Sequence, residues 1–126
     1  MSKEVINISS GRKLPFSSAV RAGDFIFLSG HAGMRDDDGN PLETVEDQTR
    51  KTLENISKTL KAAGASLDDV VKVTVYLGDQ GHFSRMNEVY GTFFKEDLPA
   101  RSTCITGLAV PNMLLEMECV AYSPRR

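Results

Sequence analysis

The sequence predicts an α+β fold in which two helices pack on one face of a mixed sheet, in the order β-β-β-α-β-α-β-β. Three observations carry that expectation. Apolar residues recur at spacings of four and three over residues 49–63, the period of a helix with one buried stripe. Residues 71–77 and 114–121 alternate largely between two side-chain sets, the period of a strand. No internal repeat, low-complexity tract or linker-like stretch interrupts the 126 residues, so 1–126 reads as one domain.

Each element has local grounds. Val5, Ile6 and Ile8 mark a short first strand, and Ser17 to Arg21 a weak second, closed by the turn Ala22-Gly23-Asp24. Phe25-Ile26-Phe27-Leu28-Ser29 is a third strand, apolar on both faces, which therefore needs cover on both. Met34 to Pro41 carries Asp36, Asp37, Asp38, Gly39 and Asn40 but lacks the alternating ligands and closing glutamate of a calcium loop, so it reads as a solvated loop. Thr44 caps the first helix, with Asp47 three residues on. Thr49, Leu53, Ile56, Leu60 and Ala63 form its apolar stripe, and Gly64 stops it. Val71, Val73, Val75 and Leu77 then alternate with Lys72, Thr74 and Tyr76, and Gly78-Asp79-Gln80-Gly81 breaks the strand. A second helix places Phe83, Met86, Tyr90 and Phe93 on one face and ends before Pro99. Two last strands run from about Arg101 to Thr106 and about Met113 to Tyr122, joined across Gly107 to Asn112.

If both helices cover the same sheet face, the other face is solvated or covered by another chain. In the last strand Leu115, Met117, Cys119 and Ala121 form the core set, while Leu114, Glu116, Glu118 and Val120 point the other way. A second face that is half apolar predicts a homo-oligomer.

Composition removes several classes of function. The formal net charge is -2 and the basic residues are scattered, with a terminal pair at Arg125-Arg126, so nothing favours nucleic acid or an anionic membrane as partner. No run approaches the ~20 apolar residues of a membrane span. Met1-Ser2-Lys3-Glu4 leads into an alternating segment rather than a signal core, so a cytoplasmic location is expected. The two cysteines, Cys104 and Cys119, lie in apolar strand-like segments and are expected to be buried free thiols. There is no Gly-rich phosphate loop, no Cys-x-x-Cys and no Gly-x-Ser-x-Gly elbow, and the two histidines, His31 and His82, lack partners at metal-ligand spacing. His31, just after Ser29-Gly30, reads as a loop histidine packed on the surface.

What remains is a polar set near strand ends. Pro99-Ala100-Arg101-Ser102-Thr103 opens a strand with a guanidinium, whose planar fork can grip a carboxylate through two parallel hydrogen bonds. Glu116 is of a type that serves as general base or orients water. Asn87 lies in the second helix. By residue type alone, the plainer readings stay open: a surface arginine, an ion-paired glutamate and an exposed helix asparagine.

Around these residues the chain resembles the Rid (YjgF) family of enamine/imine deaminases over nearly its whole length. The resemblance rests on Phe27-Leu28-Ser29-Gly30, Gln48 to Ile56, Ala62 to Leu67, Val71 to Leu77, Phe83 through Asn87 to Phe94, Pro99 to Thr103 and Glu116 to Ala121. Pro-Ala-Arg-Ser is the most diagnostic of these stretches. The resemblance implies a chorismate-mutase-like fold assembled as a homotrimer, the three sheets packed into a central barrel with helices outside and three clefts between neighbours. It implies hydrolysis of reactive 2-imino and 2-enamino acids, such as 2-aminoacrylate, to 2-keto acids and ammonia, without metal or organic cofactor. It assigns the substrate carboxylate to Arg101 and the positioning of water to Glu116. It also places Ser29, Gly30, Asn87, Thr103 and the aromatic wall Phe16 around the substrate.

Two departures accompany the resemblance. Many deaminating members carry tyrosine after the proline where this chain has Phe16, which keeps the wall and loses the hydroxyl. The Gly107 to Pro111 stretch is one residue longer than in the best-known members, beside the expected pocket. The alternative is a non-catalytic trimer whose cleft binds a small carboxylate as a sensor or partner-binding module. Against the older family label of ribonuclease stand the mildly acidic balance and the lack of a histidine pair for acid-base work on a phosphodiester.

Overall fold

The computed structural model describes residues 2–8 and 13–125. Met1 and Arg126, the outer bounds of the expected domain, lie outside them; so does the second half of the expected Arg125-Arg126 pair. Strands β1 (Glu4–Ile6), β2 (Ala19–Ala22) and β3 (Phe25–Leu28) precede helix α1 (Val45–Ala62). Then come β4 (Val70–Leu77), α2 (Phe83–Phe93), β5 (Ala100–Ile105) and β6 (Leu115–Tyr122). The element order is the expected one. The strands form one six-stranded sheet in the order β1-β2-β3-β6-β4-β5. β4 and β5 are parallel, as a connection through α2 requires, and the other neighbours are antiparallel.

The periodicities become one core on one face of this sheet. From α1 come Leu53, Ile56 and Leu60, from α2 Met86 and Tyr90, and from the sheet Ile26, Leu28, Val73, Val75, Leu77, Leu115, Met117, Cys119 and Ala121. Burying each large aliphatic side chain contributes about 1.5–3 kcal/mol before conformational entropy is set against it. Thr44 Oγ1 accepts the Asp47 N–H at 3.1 Å and caps α1. Gly64, at φ +83°, takes the left-handed turn that ends it.

Three expectations are corrected. The β4–β6 register shifts between Val70 and Lys72. Val70 therefore takes the buried place and Val71 is exposed, where alternation alone puts Val71 inside. Phe83, the first residue of α2, is also exposed. Finally, Cys119 is buried, its thiol pushed up to about 12 mainly by burial, but Cys104 is exposed. Cys104 sits on β5, which is paired only with β4 and forms an edge of the sheet, and its side chain belongs to the face away from the helices.

That second face is open in the single chain. Phe25 stacks against Phe27 and Tyr122, at centroid distances of 6.4 and 5.2 Å, and all three are exposed. The acidic loop is solvated as expected. It is closed by the Arg35–Pro41 bridge, and Asp36 Oδ1 accepts the N–H groups of Asp38 and Asn40. No helix is long and apolar enough to cross a membrane among the described residues.

The loop reaches α1 through Gly33, where an added Cβ would lie 2.5 Å from Lys51 Cβ and 2.6 Å from the Thr52 nitrogen. Because one obstacle is helix backbone, the strain cannot be relieved by a rotamer change. Gly33→Ala should therefore lower stability by about 1–3 kcal/mol, read as a lower urea midpoint at unchanged slope. An unchanged midpoint would mean that the loop is not seated on α1.

Candidate active site

The expected site residues fall into two groups. The first gathers where β3 ends. Phe27 pairs with Val120, but His31 bridges to Met117, so the β3 side carries one extra residue around Ser29-Gly30. This bulge turns both residues out of the ladder. The Ser29 hydroxyl donates to the Ser17 carbonyl at 2.6 Å, so its oxygen is left as an acceptor. The Gly30 N–H finds no acceptor among the described residues. Both line an open cavity of about 410 Å³ with Phe16, Leu14, His31 and Asn55.

His31 is a brace rather than a loose surface group. Its Nδ1 lies 2.7 Å from the Ser29 carbonyl and its Nε2 2.8 Å from Thr59 Oγ1. A carbonyl only accepts, so Nδ1 donates and Nε2 accepts from the threonine hydroxyl, which describes a neutral ring. Burial lowers its pKa, in keeping with that state. The bulge is thus tied to the middle of α1.

Glu116 stands directly behind Gly30. A Cβ at position 30 would meet its carboxyl carbon and Oε2 at 2.7 Å, so only glycine lets this carboxylate approach the bulge. Burial raises the Glu116 pKa, and the charge of Glu118 on the same face raises it further. Glu118 in turn accepts a hydrogen bond from the Tyr76 hydroxyl.

The second group lies at the β5 edge of the sheet, two strands from β6. Arg101 pairs with Val73 in the parallel β4–β5 ladder, so its side chain shares the helix-covered face, as does that of Thr103 two residues on. Its guanidinium carbon is 4.7 Å from the Tyr90 ring centroid and 5.8 Å from that of Phe83. Among the described residues it joins no ion pair. Asn87 sits between the two aromatics on α2, and its Oδ1 is buried without a partner among the described residues.

Arg101 and Glu116 therefore do not meet within one chain. Glu116 is cross-strand partner of Tyr76, and Arg101 of Val73, three residues away on β4. An odd separation along a strand reverses the face, so guanidinium and carboxylate point to opposite sides of the sheet. Residue type and motif gave no warning of this, and they also passed over Tyr90 and Phe83 as neighbours of the arginine. The available signal was the spacing of Phe83, Asn87 and Tyr90 by four and three, which places all three on one helix face. No group of three or more His, Cys, Asp or Glu residues is placed to hold a metal ion among the described residues.

A six-stranded mixed sheet with two helices on one face, in this strand order, is the YjgF/L-PSP fold. The family model described as Endoribonuclease L-PSP matches residues 10–123, and the chain belongs to this family, the Rid (YjgF) family its motifs resemble. It is 43% identical over 123 residues to a RutC family protein of Pyrococcus horikoshii, covering 95% of this chain and 98% of that one. It is 34% identical over 108 residues to the 2-iminobutanoate/2-iminopropanoate deaminase of Mus musculus, covering 85% and 80% of the two chains. Among solved structures, the Rid-family protein YyfA of Yersinia pestis superposes with a TM-score of 0.85 at 30% identity, covering 96% of this chain and 99% of that one.

Proposed function

We propose that the protein hydrolyses small reactive 2-imino acids to 2-keto acids and ammonia, in clefts that Arg101 of one copy and Ser29, Gly30 and Glu116 of a neighbour complete in a homotrimer. The observation that carries this reading is the separation itself. Among the described residues, an unpaired guanidinium lies on the β5 edge, and a free N–H, a free hydroxyl oxygen and a carboxylate of raised pKa gather around the central strands β3 and β6, with guanidinium and carboxylate on opposite faces of one sheet. Each half is chemically incomplete, and the exposed aromatic face offers a surface for assembly.

The chemistry follows from the groups. Arg101 takes the carboxylate in a two-bond grip, with Thr103 backbone and Asn87 beside it. The Ser29 oxygen accepts from the iminium N–H, and the Gly30 N–H donates to the substrate. Phe16 forms an apolar wall. Glu116 accepts a proton from water as its oxygen attacks C2, and the C=N pair moves to nitrogen. The proton then passes from Glu116 to the amine. The hydroxyl gives its proton to Glu116 as its electron pair forms C=O and the C–N bond breaks. The departing ammonia takes that proton as ammonium, leaving the keto acid and an ionised Glu116. These steps use water alone as co-reactant. A ribonuclease reading has less support, because both nitrogens of His31 are committed to Ser29 and Thr59.

The test couples a serine or threonine dehydratase to the purified protein and follows decay of the imine. Faster decay in proportion to protein supports the reading, and an unchanged rate refutes it. Binding of the keto acid without faster decay would instead establish the carboxylate-binding module, the outcome that the missing hydroxyl at Phe16 favours.

The pH profile gives a second check. Glu116 must be ionised to take the proton from water, and its pKa is raised. Activity should therefore fall, with decreasing pH, at a higher pH than the usual glutamate value of about 4.3 would give. Glu118→Gln removes the repelling charge, lowers the Glu116 pKa and moves the acid limb of kcat/KM to lower pH. An acid limb identical in the two proteins would take Glu116 out of the base role.

A further inference from the structure

The arginine assigned to the carboxylate is held in an unusual way. It stands on the outermost strand, is half-buried, and joins no ion pair among the described residues. An acidic partner would fix a guanidinium by occupying its N–H groups. Here two aromatic rings approach it instead, Tyr90 at 4.7 Å and Phe83 at 5.8 Å from the guanidinium carbon. A ring face attracts the cation through its quadrupole and takes up no in-plane donor.

We propose that Phe83 and Tyr90 are positioning residues for Arg101: their rings hold the guanidinium against α2 and leave its planar edge free to bind a carboxylate. The proposal rests on the reading of Arg101 as the substrate clamp. Its geometry is nevertheless independent of the reaction. Phe83, Asn87 and Tyr90 follow one another at four and three residues along α2, so one helix face presents ring, amide and ring in a row. Tyr90 is 9% exposed and packs on Phe94 at 4.8 Å, so its ring is fixed from behind. Phe83 is 43% exposed and carries no comparable core burden. The apolar cost of leaving it at the surface is explained if its work is done against the arginine. Burial raises the pKa of the Tyr90 hydroxyl and the nearby Arg101 lowers it, so ring and oxygen both lie beside the guanidinium, and Tyr90→Phe is the variant that separates them.

The test uses the full-length chain with three variants, Phe83→Leu, Tyr90→Leu and Tyr90→Phe, and two readouts. One is the split between KM and kcat in imine hydrolysis. The other is calorimetric binding of 2-oxobutanoate, a keto acid with the same carboxylate. Loss of either ring should raise KM and the keto-acid Kd together by about 3- to 30-fold, with a smaller change in kcat. Tyr90→Phe should restore the wild-type KM, because it keeps the ring. Phe83→Leu removes an exposed side chain, so its result does not depend on whether Tyr90→Leu folds. The proposal is overturned if Phe83→Leu leaves both KM and Kd unchanged, or if Tyr90→Phe is as impaired as Tyr90→Leu. Parallel measurement of Arg101→Ala separates the two ideas. A dead Arg101→Ala beside an unaffected Phe83→Leu sinks the aromatic hold alone. A weakened keto-acid affinity in Phe83→Leu, in a protein that does not speed imine decay, supports the hold and removes the hydrolase.

Discussion

Arg101→Ala should keep the fold and lose hydrolysis of the imine by at least about 100-fold, because misplacing the reacting carbon by an ångström already costs that much. The small effect on folding follows from its surroundings. The side chain joins no ion pair among the described residues, so its removal leaves no buried charge unpaired. What is lost is stem packing and the contact with two rings. The large effect on turnover follows from its place in the proposed chemistry. The substrate is small, and its carboxylate is the one strongly charged handle by which C2 can be aimed at the water beside Glu116. Arg101→Lys should be nearly as poor, since an ammonium keeps the charge but offers neither the parallel fork nor the flat face that stacks on an aromatic. The measurements are imine decay in the dehydratase-coupled assay and a thermal melt on the same samples. Full activity in Arg101→Ala would end the assignment, and a collapsed melt would show the side chain to be structural.

The fold was legible because its periodicities are local. Thr49, Leu53, Ile56, Leu60 and Ala63 declare one helix face without reference to the rest of the chain, and all are buried. Leu115, Met117, Cys119 and Ala121 do the same for β6, and they are the core set. The errors occur where a non-local event intervenes. A register shift against β6 exchanges Val70 for Val71, and sheet order decides that Cys104 lies on an edge. Neither is written in a window of a few residues. The candidate site divides in the same way. Residue type singles out Arg101 and Glu116 through the chemistry of guanidinium and carboxylate. It does not say that they face opposite ways, because that depends on which β4 residue each one pairs with. Gly30 is an intermediate case. A glycine beside a serine at a strand end suggests close approach, but the approaching group, Glu116, comes from a strand 86 residues further along.

Opposite faces make an arrangement across copies directly testable. Arg101→Ala and Glu116→Gln should each be inactive alone, yet regain activity when the two are unfolded together and reassembled. If each cleft takes Arg101 from one copy and Glu116 from the next around a closed trimer, every mixed trimer contains one cleft in which both residues are native. Random assembly of equal amounts makes about three-quarters of the trimers mixed, so about a quarter of the wild-type clefts should return. The control is a chain carrying both substitutions, mixed with wild type. There the mixed trimers lose clefts in proportion and no inactive partner is rescued. Recovery near a quarter supports clefts shared between neighbours. No recovery above the single variants, in material shown by mass to contain mixed trimers, would place the reaction within one chain or without one of these two residues. Either result bears on the same point of register, that Val73 and Tyr76 hand their partners on β5 and β6 to different sides of the sheet.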